Sequence, residues 1–231
     1  MEVKMHLINF PFLYKTIEQL NGFNILSEIS PQKLRENVSI VIIDDDVFLL
    51  EPALEKLGFR FTNKSGTSDD TNINDYVRYD LILCDIAGVA TTLNSKYQGA
   101  FLAREIKKAY PEKIVISYTA NSYEPSVYEY QSELDGIVPK GLGVEEWTSL
   151  LDEKIRLLVD PKEQWARYRD RLLQEHVDIR LVAKMESDYV KAVLNRSFTS
   201  FREIYEREQC FKQMVGRLMS SLMFRVLSRG I

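Results

Sequence analysis

Cysteine, histidine and long apolar runs are what this chain has least of. Its 231 residues include two cysteines, Cys84 and Cys210, far apart in sequence. That excludes a disulfide framework and a cysteine-ligated zinc site. The two histidines, His6 and His176, stand alone with no partner pattern, so surface or core packing is expected for both rather than catalysis. No apolar stretch approaches the roughly 20 residues that span a bilayer. The stretch Met1 to Leu7 carries an acid early and no small-residue cleavage site, so no secretory leader is expected. Together these shortages lead us to expect a soluble chain in a reducing cytoplasm, with no membrane span.

What is present fits a packed protein: 45% hydrophobic and 28% charged residues are the proportions of a globular chain, not a disordered one. The net charge of −4 conceals a division. Residues 160–231 hold 14 Lys/Arg against 10 Asp/Glu, a net of +4, and the remainder carries −8. The acidic front suits a cation site and the mildly basic back suits a partner-facing segment. The basic excess is too small to imply nucleic acid.

Two aliphatic runs stop on carboxylates. Val38-Ser39-Ile40-Val41-Ile42-Ile43 ends on Asp44, Asp45 and Asp46, and Tyr79-Asp80-Leu81-Ile82-Leu83-Cys84 ends on Asp85. Short, nearly uninterrupted apolar runs are the pattern of strands buried on both faces of a parallel sheet. Ligands of such sheets sit beyond the carboxyl ends of the strands. Acids gathered there repel one another unless a hard cation such as Mg²⁺ lies among them.

From 38 to about 158 the pattern alternates strand and helix. A helix through Leu49, Leu50, Leu54 and Leu57 ends at Gly58, and Phe59 to Thr62 is a short strand. A brief helix lies near Tyr76 and Val77. The helix through Phe101, Leu102 and Ile106 is ended by Pro111. Ile114 to Tyr118 is a third buried strand leading to Thr119, and a weaker helix covers roughly 124–133. Gly136 to Lys140 is the last strand, and Val144 to Val159 the closing helix. Five βα repeats predict a doubly wound, five-stranded parallel sheet, an α/β fold. After Asp160-Pro161 the pattern is helical only, in segments near 162–175, 177–195 and 198–228, so an all-α C-terminal extension is expected. The first 37 residues are ambiguous: Phe12 to Leu20 fits a helix and Ser30-Pro31 a turn. The expected divisions are 1–37 (role unknown), 38–159, and 160–231 for output or oligomerisation. The stretch from Gln209 to Ile231 is basic and amphipathic. Its apolar residues cover most of the circumference, which favours burial in a bundle or dimer over a membrane surface.

Four strand ends carry Asp44/Asp45, Asp85, Thr119 and Lys140, in that order. The ordered set resembles the receiver domain of two-component response regulators, a flavodoxin-like fold, over residues 38–158. The resemblance implies that Asp85 is the nucleophile, phosphorylated from a phosphohistidine on a partner histidine kinase or phosphotransfer protein. It implies that Asp44, Asp45, Asp85 and the main-chain carbonyl of Ala87 hold Mg²⁺, and that Lys140 neutralises charge on the transferred group. Thr119 would bond the phosphoryl oxygen and couple it to the switch. Ala87 and Asn121 would tune hydrolysis of the acyl phosphate. Output would pass through protein contacts of the C-terminal helices, to a target or a second copy, with no separate catalytic effector.

The chain departs from the family pattern at several points. Ile86-Ala87-Gly88-Val89 replaces a Met-Pro pair, Gly99 lies 14 residues beyond Asp85, Pro139 precedes Lys140, and Ile137 stands where an aromatic switch residue is usual. These departures support an alternative, a phosphorylation-independent pseudo-receiver adaptor. A third reading takes Asp44-Asp45-Asp46 as the Asp-x-Asp of a haloacid-dehalogenase-type phosphatase. Asp44 is then the nucleophile and Asp46 the acid/base, Thr119 and Lys140 supply the next motifs, and Asp85 is idle. Independently of these, Asp46 is expected to cap the helix that follows.

Overall fold

The computed structural model describes residues 14–67, 71–94, 96–120, 128 and 132–229. The apolar runs form β1 (Ile40–Ile43), β2 (Phe61–Lys64), β3 (Leu81–Asp85), β4 (Ile114–Thr119) and β5 (Gly136–Pro139). They pair in parallel in the order β2-β1-β3-β4-β5. This is the doubly wound α/β arrangement expected from the sequence. The order reverses direction between β1 and β3, which places the ends of those two strands beside the crevice where such sheets bind ligands.

Alternation along the strands supplies both faces of the sheet. Ile40, Ile42, Leu81, Leu83, Ile114 and Ile116 enter one core, and Val41, Ile43, Ile82, Cys84 and Val115 enter the other. The second core is closed by Leu102, Ala103 and Ile106 of a helix at Gln98–Ala109. The first is closed by Trp147, Leu151 and Ile155 of a helix at Val144–Val159. In chain order the helices are α1 (Pro31–Asn37), α2 (Glu51–Lys56), α3 (Gln98–Ala109), α4 (Val144–Val159), α5 (Pro161–Gln174), α6 (Ile179–Leu194), α7 (Thr199–Tyr205), α8 (Gln209–Ser220) and α9 (Leu222–Arg229).

The closing helix falls where expected, because Glu146 reaches back to the Gly143 N–H at 2.8 Å and fixes its start. Other boundaries differ. Ser30-Pro31 is a helix start rather than a turn: Ser30 accepts from the Lys33 N–H with Pro31 in the first turn of α1. The stretch assigned as helix from Phe12 is, in its described part, a single 3-10 turn at Ile17–Leu20. β2 begins two residues later than expected. The last helical segment is three helices, because Glu208 and Ser221 both take extended backbone angles. Asn121 and nearly all of the helix expected at 124–133 lie outside the described residues.

The first core does not stop at the sheet. It runs through Leu158 and Trp165 into Met185, Tyr189, Val215 and Met223 of the later helices, and takes in Leu20, Ile25 and Leu34 from the first 37 residues. The amphipathic tail is buried, as its circumference suggested: Val215, Leu218, Leu222, Met223 and Val226 are all in this core. Both α1 and α9 pack on α4, so the outer flank of the α/β unit is covered by the chain itself.

One polar knot fastens the two halves. Asp135 accepts from Lys107 Nζ at 2.6 Å and the Val115 N–H at 2.9 Å through one oxygen, and from Arg167 of α5 at 2.8 Å through the other. Burial works against its charge, yet Lys107 and Arg167 hold the carboxyl below its ordinary value, while burial pushes Lys107 down to about 8. A depressed carboxylate stabilises the fold above its unfolded value of 3.8, and that share disappears as pH falls through the lower native value. Asp135→Asn strands two cations and is expected to cost about 3 kcal/mol in urea unfolding at neutral pH. The variant should also lose less further stability than the wild type as pH drops below 4, and equal acid sensitivity in the two proteins would refute this.

Candidate functional site

The carboxyl edge of the sheet brings the expected side chains together. Asp44 follows β1 and Asp85 ends β3; their residues are 8% and 4% exposed. Lys140 follows β5, and its Nζ lies 3.0 Å from Asp44 Oδ2 and 2.7 Å from Asp85 Oδ2. The reversed Pro139-Lys140 order therefore does not misdirect the lysine. Its backbone N–H bonds the Thr119 carbonyl at 3.0 Å, which ties the ends of β4 and β5 and aims the side chain inward.

Both oxygens of Asp85 are engaged. Oδ2 accepts from Lys140, and Oδ1 accepts from the Ile86 N–H at 2.7 Å. Burial raises the Asp85 carboxyl above its ordinary range, and Lys140 opposes that rise. Burial also disfavours the Lys140 charge, but its bonds to Asp85 and Asp44 prevail and hold the ammonium above its usual value. Cys84, one residue earlier, is fully buried, and its thiol is pushed far up by burial and the neighbouring carboxylates. It is an inert core residue, as the strand pattern indicated.

Asp44 is held more firmly than the sequence disclosed. Its Oδ2 accepts from the Tyr118 hydroxyl at 2.6 Å and its Oδ1 from the Asp46 N–H at 2.9 Å. Tyr118 was hidden within a strand, where an aromatic residue reads as core. Its ring is indeed packed edge-on against Phe48 at 5.9 Å and Trp147 at 6.0 Å, and only the hydroxyl reaches the acid. Lys140 Nζ lies 5.3 Å from the same ring. Chemistry at Asp44 is thus in direct contact with an aromatic cluster seated on α4.

Asp46 does not cap a helix. α2 begins at Glu51, with Leu50 at the cap and no side-chain cap bond, because a separate turn intervenes, closed by the Glu51 N–H on the Phe48 carbonyl at 3.1 Å. That turn leaves Val47 80% and Leu49 84% exposed beside the acids. Asp44, Asp45 and Asp46 each offer a carboxylate oxygen within 4.8 Å of the others. All three donors are hard oxygens, the donor chemistry that Mg²⁺ takes, so the residues present fit the ion. Asp85 stands across Lys140 from this group rather than within it. Ala87 is exposed in the turn after β3, and Thr119 ends β4 with Pro139 as its register partner.

Two glycines shape the turn after Asp85. Gly88 has φ +79°, and a side chain there would meet the Asp45 carboxylate at 2.3 Å; the turn lies directly on the acidic group. Gly99 opens α3 so close to β3 that an added Cβ would lie 1.8 Å from the Asp85 carbonyl oxygen. Gln98 before it holds φ +47° and accepts the Gly88 N–H at 2.8 Å. The longer turn is therefore fastened back onto the start of α3.

Five parallel strands in the order 2-1-3-4-5, with acids ending the first and third, settle the architecture. This is the flavodoxin-like, doubly wound strand order. Solved structures similar to about half of the chain include receiver domains. They include the beryllofluoride-activated DrrB receiver (24% identity, TM-score 0.41, 51% of this chain and 97% of that one). A response regulator receiver from Methanospirillum hungatei matches at 20%, TM-score 0.41, over 51% and 93%. Response regulator TrrA from Thermotoga maritima, solved with Mg²⁺ and beryllofluoride, matches at 23%, TM-score 0.41, over 50% and 97%. No family model matches the chain and no curated protein matches its sequence. These matches leave about half of the chain uncovered, and no described helix is long and apolar enough to cross a membrane.

Proposed function

We propose that the protein is a response-regulator-like signalling protein whose Asp85 accepts a phosphoryl group from a phosphohistidine on a partner kinase or phosphotransfer protein. In the transfer an Asp85 carboxylate oxygen forms the new O–P bond while the donor's N–P bond breaks, and the imidazole nitrogen keeps that electron pair. The observation that carries this reading is Lys140 Nζ held between Asp44 and Asp85, at 3.0 and 2.7 Å. It leaves one cation poised at the nucleophile, where charge accumulates on the transferred group.

Mg²⁺ held by Asp44 and Asp45 would supply further charge neutralisation, and Asp85 and the Ala87 carbonyl would complete the set once Lys140 gives up its place between Asp44 and Asp85. Thr119, at the end of β4, donates its hydroxyl to the phosphoryl group once Asp85 is modified. The modification adds about 1.5 to 2 negative charges, which draw Lys140 and the β4 end toward Asp85. Tyr118, one residue from Thr119 and bonded to Asp44, carries that movement to Trp147. The switch therefore lies in residues 38–159, and the helices of 160–231 are the output face, joined to it through α4. Its target is a protein.

A pseudo-receiver reading has one observation in its favour: Tyr118 and Lys140 both bond Asp44 and fasten the strand ends together through side chains alone. The phosphatase reading has less support. That chemistry also needs an acidic pair downstream of the lysine, and the pair available, Asp152-Glu153, lies on α4, with Asp152 paired to Arg35 at 2.6 Å.

Trp147 separates the first two readings. Beryllofluoride with Mg²⁺ is expected to change Trp147 emission in the wild type and in Trp165→Phe, and to leave Asp85→Asn unchanged. A wild type that shows no response, at concentrations that saturate an ordinary receiver, would favour the adaptor.

A further inference from the structure

At the opposite edge of the sheet, where β3 and β4 begin, the α/β unit meets α5, α8 and α9 around a cavity of about 210 Å³. That is below the roughly 300–1,000 Å³ of drug-sized sites, so it suits a compact molecule. Its walls hold four cations, Arg78, Lys113, Arg217 and Arg225, and two carboxylates, Asp80 and Glu112.

The two signs are not matched by pairing. Arg225 is neutralised by Asp80 at 2.7 Å. Arg217 bonds the Ala109 carbonyl at 2.7 Å, and Lys113 bonds the carbonyls of Val77 and Tyr79. These bonding partners are neutral carbonyls, so neither cation is closed off in a direct ion pair of its own among the described residues, although the Glu112 and Asp80 carboxylates also act on Lys113. Arg217 and Lys113 also share the Tyr110 ring, at 4.7 and 5.3 Å from its centre. Burial pushes Lys113 below its ordinary value; Glu112 and Asp80 oppose that, and Arg217 and Arg225 add to the depression. The walls therefore carry an excess of two positive charges.

The floor carries the opposite need. Gln164 is 1% exposed and Glu112 6%, and Gln164 Oε1 and Glu112 Oε2 are buried acceptors with no hydrogen-bond partner among the described residues. Leaving such groups unpaired is costly, so they call for donors from an occupant. One dianionic group and hydroxyl donors satisfy both demands, and a phosphomonoester carries close to two negative charges at neutral pH.

We propose that this cavity binds a compact, hydroxylated phosphomonoester of the sugar phosphate type. Its phosphoryl group faces Arg217, Lys113 and Arg78, and its hydroxyls donate to Glu112 Oε2 and Gln164 Oε1. The occupant bridges the starts of β3 and β4 to α8 and α9, across the join between the α/β unit and the helical region. The site is separate from the carboxylates at the other edge and does not depend on phosphorylation of Asp85.

Isothermal titration of the full chain at low ionic strength, with ribose 5-phosphate, inorganic phosphate and ribose, tests this. Ribose 5-phosphate is expected to bind at least tenfold more tightly than phosphate, and ribose to give no heat. Arg217→Gln should weaken both phosphates at least tenfold. Gln164→Leu, which removes an unpaired buried group and so should fold, should bring ribose 5-phosphate to the level of phosphate. Asp85→Ala should bind all three as the wild type does. No heat from ribose 5-phosphate would overturn the proposal. Equal affinity for the two phosphates would mean an adventitious ion only, and a crystal structure grown with ribose 5-phosphate showing water alone in the cavity would overturn it as well.

Discussion

Lys140→Ala slows phosphorylation of Asp85 by acetyl phosphate about 10²–10³-fold, the scale of removing one preorganised electrostatic group from a reaction centre. The lysine bridges two nearly buried carboxylates, Asp44 at 3.0 Å and Asp85 at 2.7 Å. Without it the acids face one another, and Lys140 no longer opposes the burial that raises the Asp85 carboxyl. The charge arriving with the phosphoryl group then meets no ammonium. A merely structural lysine would act differently. Mg²⁺ affinity separates the two cases: removing a competing cation leaves the acidic group more negative, so the variant should bind Mg²⁺ at least as tightly as wild type while reacting slowly. A labelling rate within threefold of wild type would contradict the assignment.

Gly99→Ala is the most damaging small substitution expected. Its new Cβ would lie 1.8 Å from the Asp85 carbonyl oxygen and 3.2 Å from Ile86 Cα. Both are backbone atoms of the strand end that presents Asp85, so no rotamer change relieves the clash. Either α3 lifts from β3 or the end of β3 moves. The fold should lose about 3 kcal/mol, at the upper end of what overpacking costs, and Asp85 labelling should fall with it. Gly22→Ala supplies the control, since a Cβ there meets nothing within 4 Å. Urea unfolding of the two variants decides the matter, and similar midpoints for both would contradict the close approach.

The centre of the sheet was legible because β1, β3 and β4 are buried on both faces and so are written as aliphatic runs ending on polar residues of evident chemistry, whereas the edge strands β2 and β5 are partly exposed. Asp44, Asp85 and Lys140 could be named from that alone, and their convergence follows from parallel strands ending at one edge. Tyr118 could not be foreseen, since its ring belongs to the core and only its hydroxyl belongs to the site. The Arg225–Asp80 pair joins positions 145 apart, which no local pattern connects. Asp46 was misassigned because sequence cannot show that α2 starts five residues later. The tail was read correctly as buried, but its breaks at Glu208 and Ser221 carry no proline or glycine to announce them.

The central claim is that Asp85 is the phosphoryl acceptor of a magnesium-assisted site. Intact mass of the full chain after acetyl phosphate tests it most directly. The account predicts one added phosphoryl group in the wild type with Mg²⁺, little or none when the metal is chelated, and none in Asp85→Ala. An unmodified wild type, or an Asp85→Ala protein that gains the same mass, would contradict it.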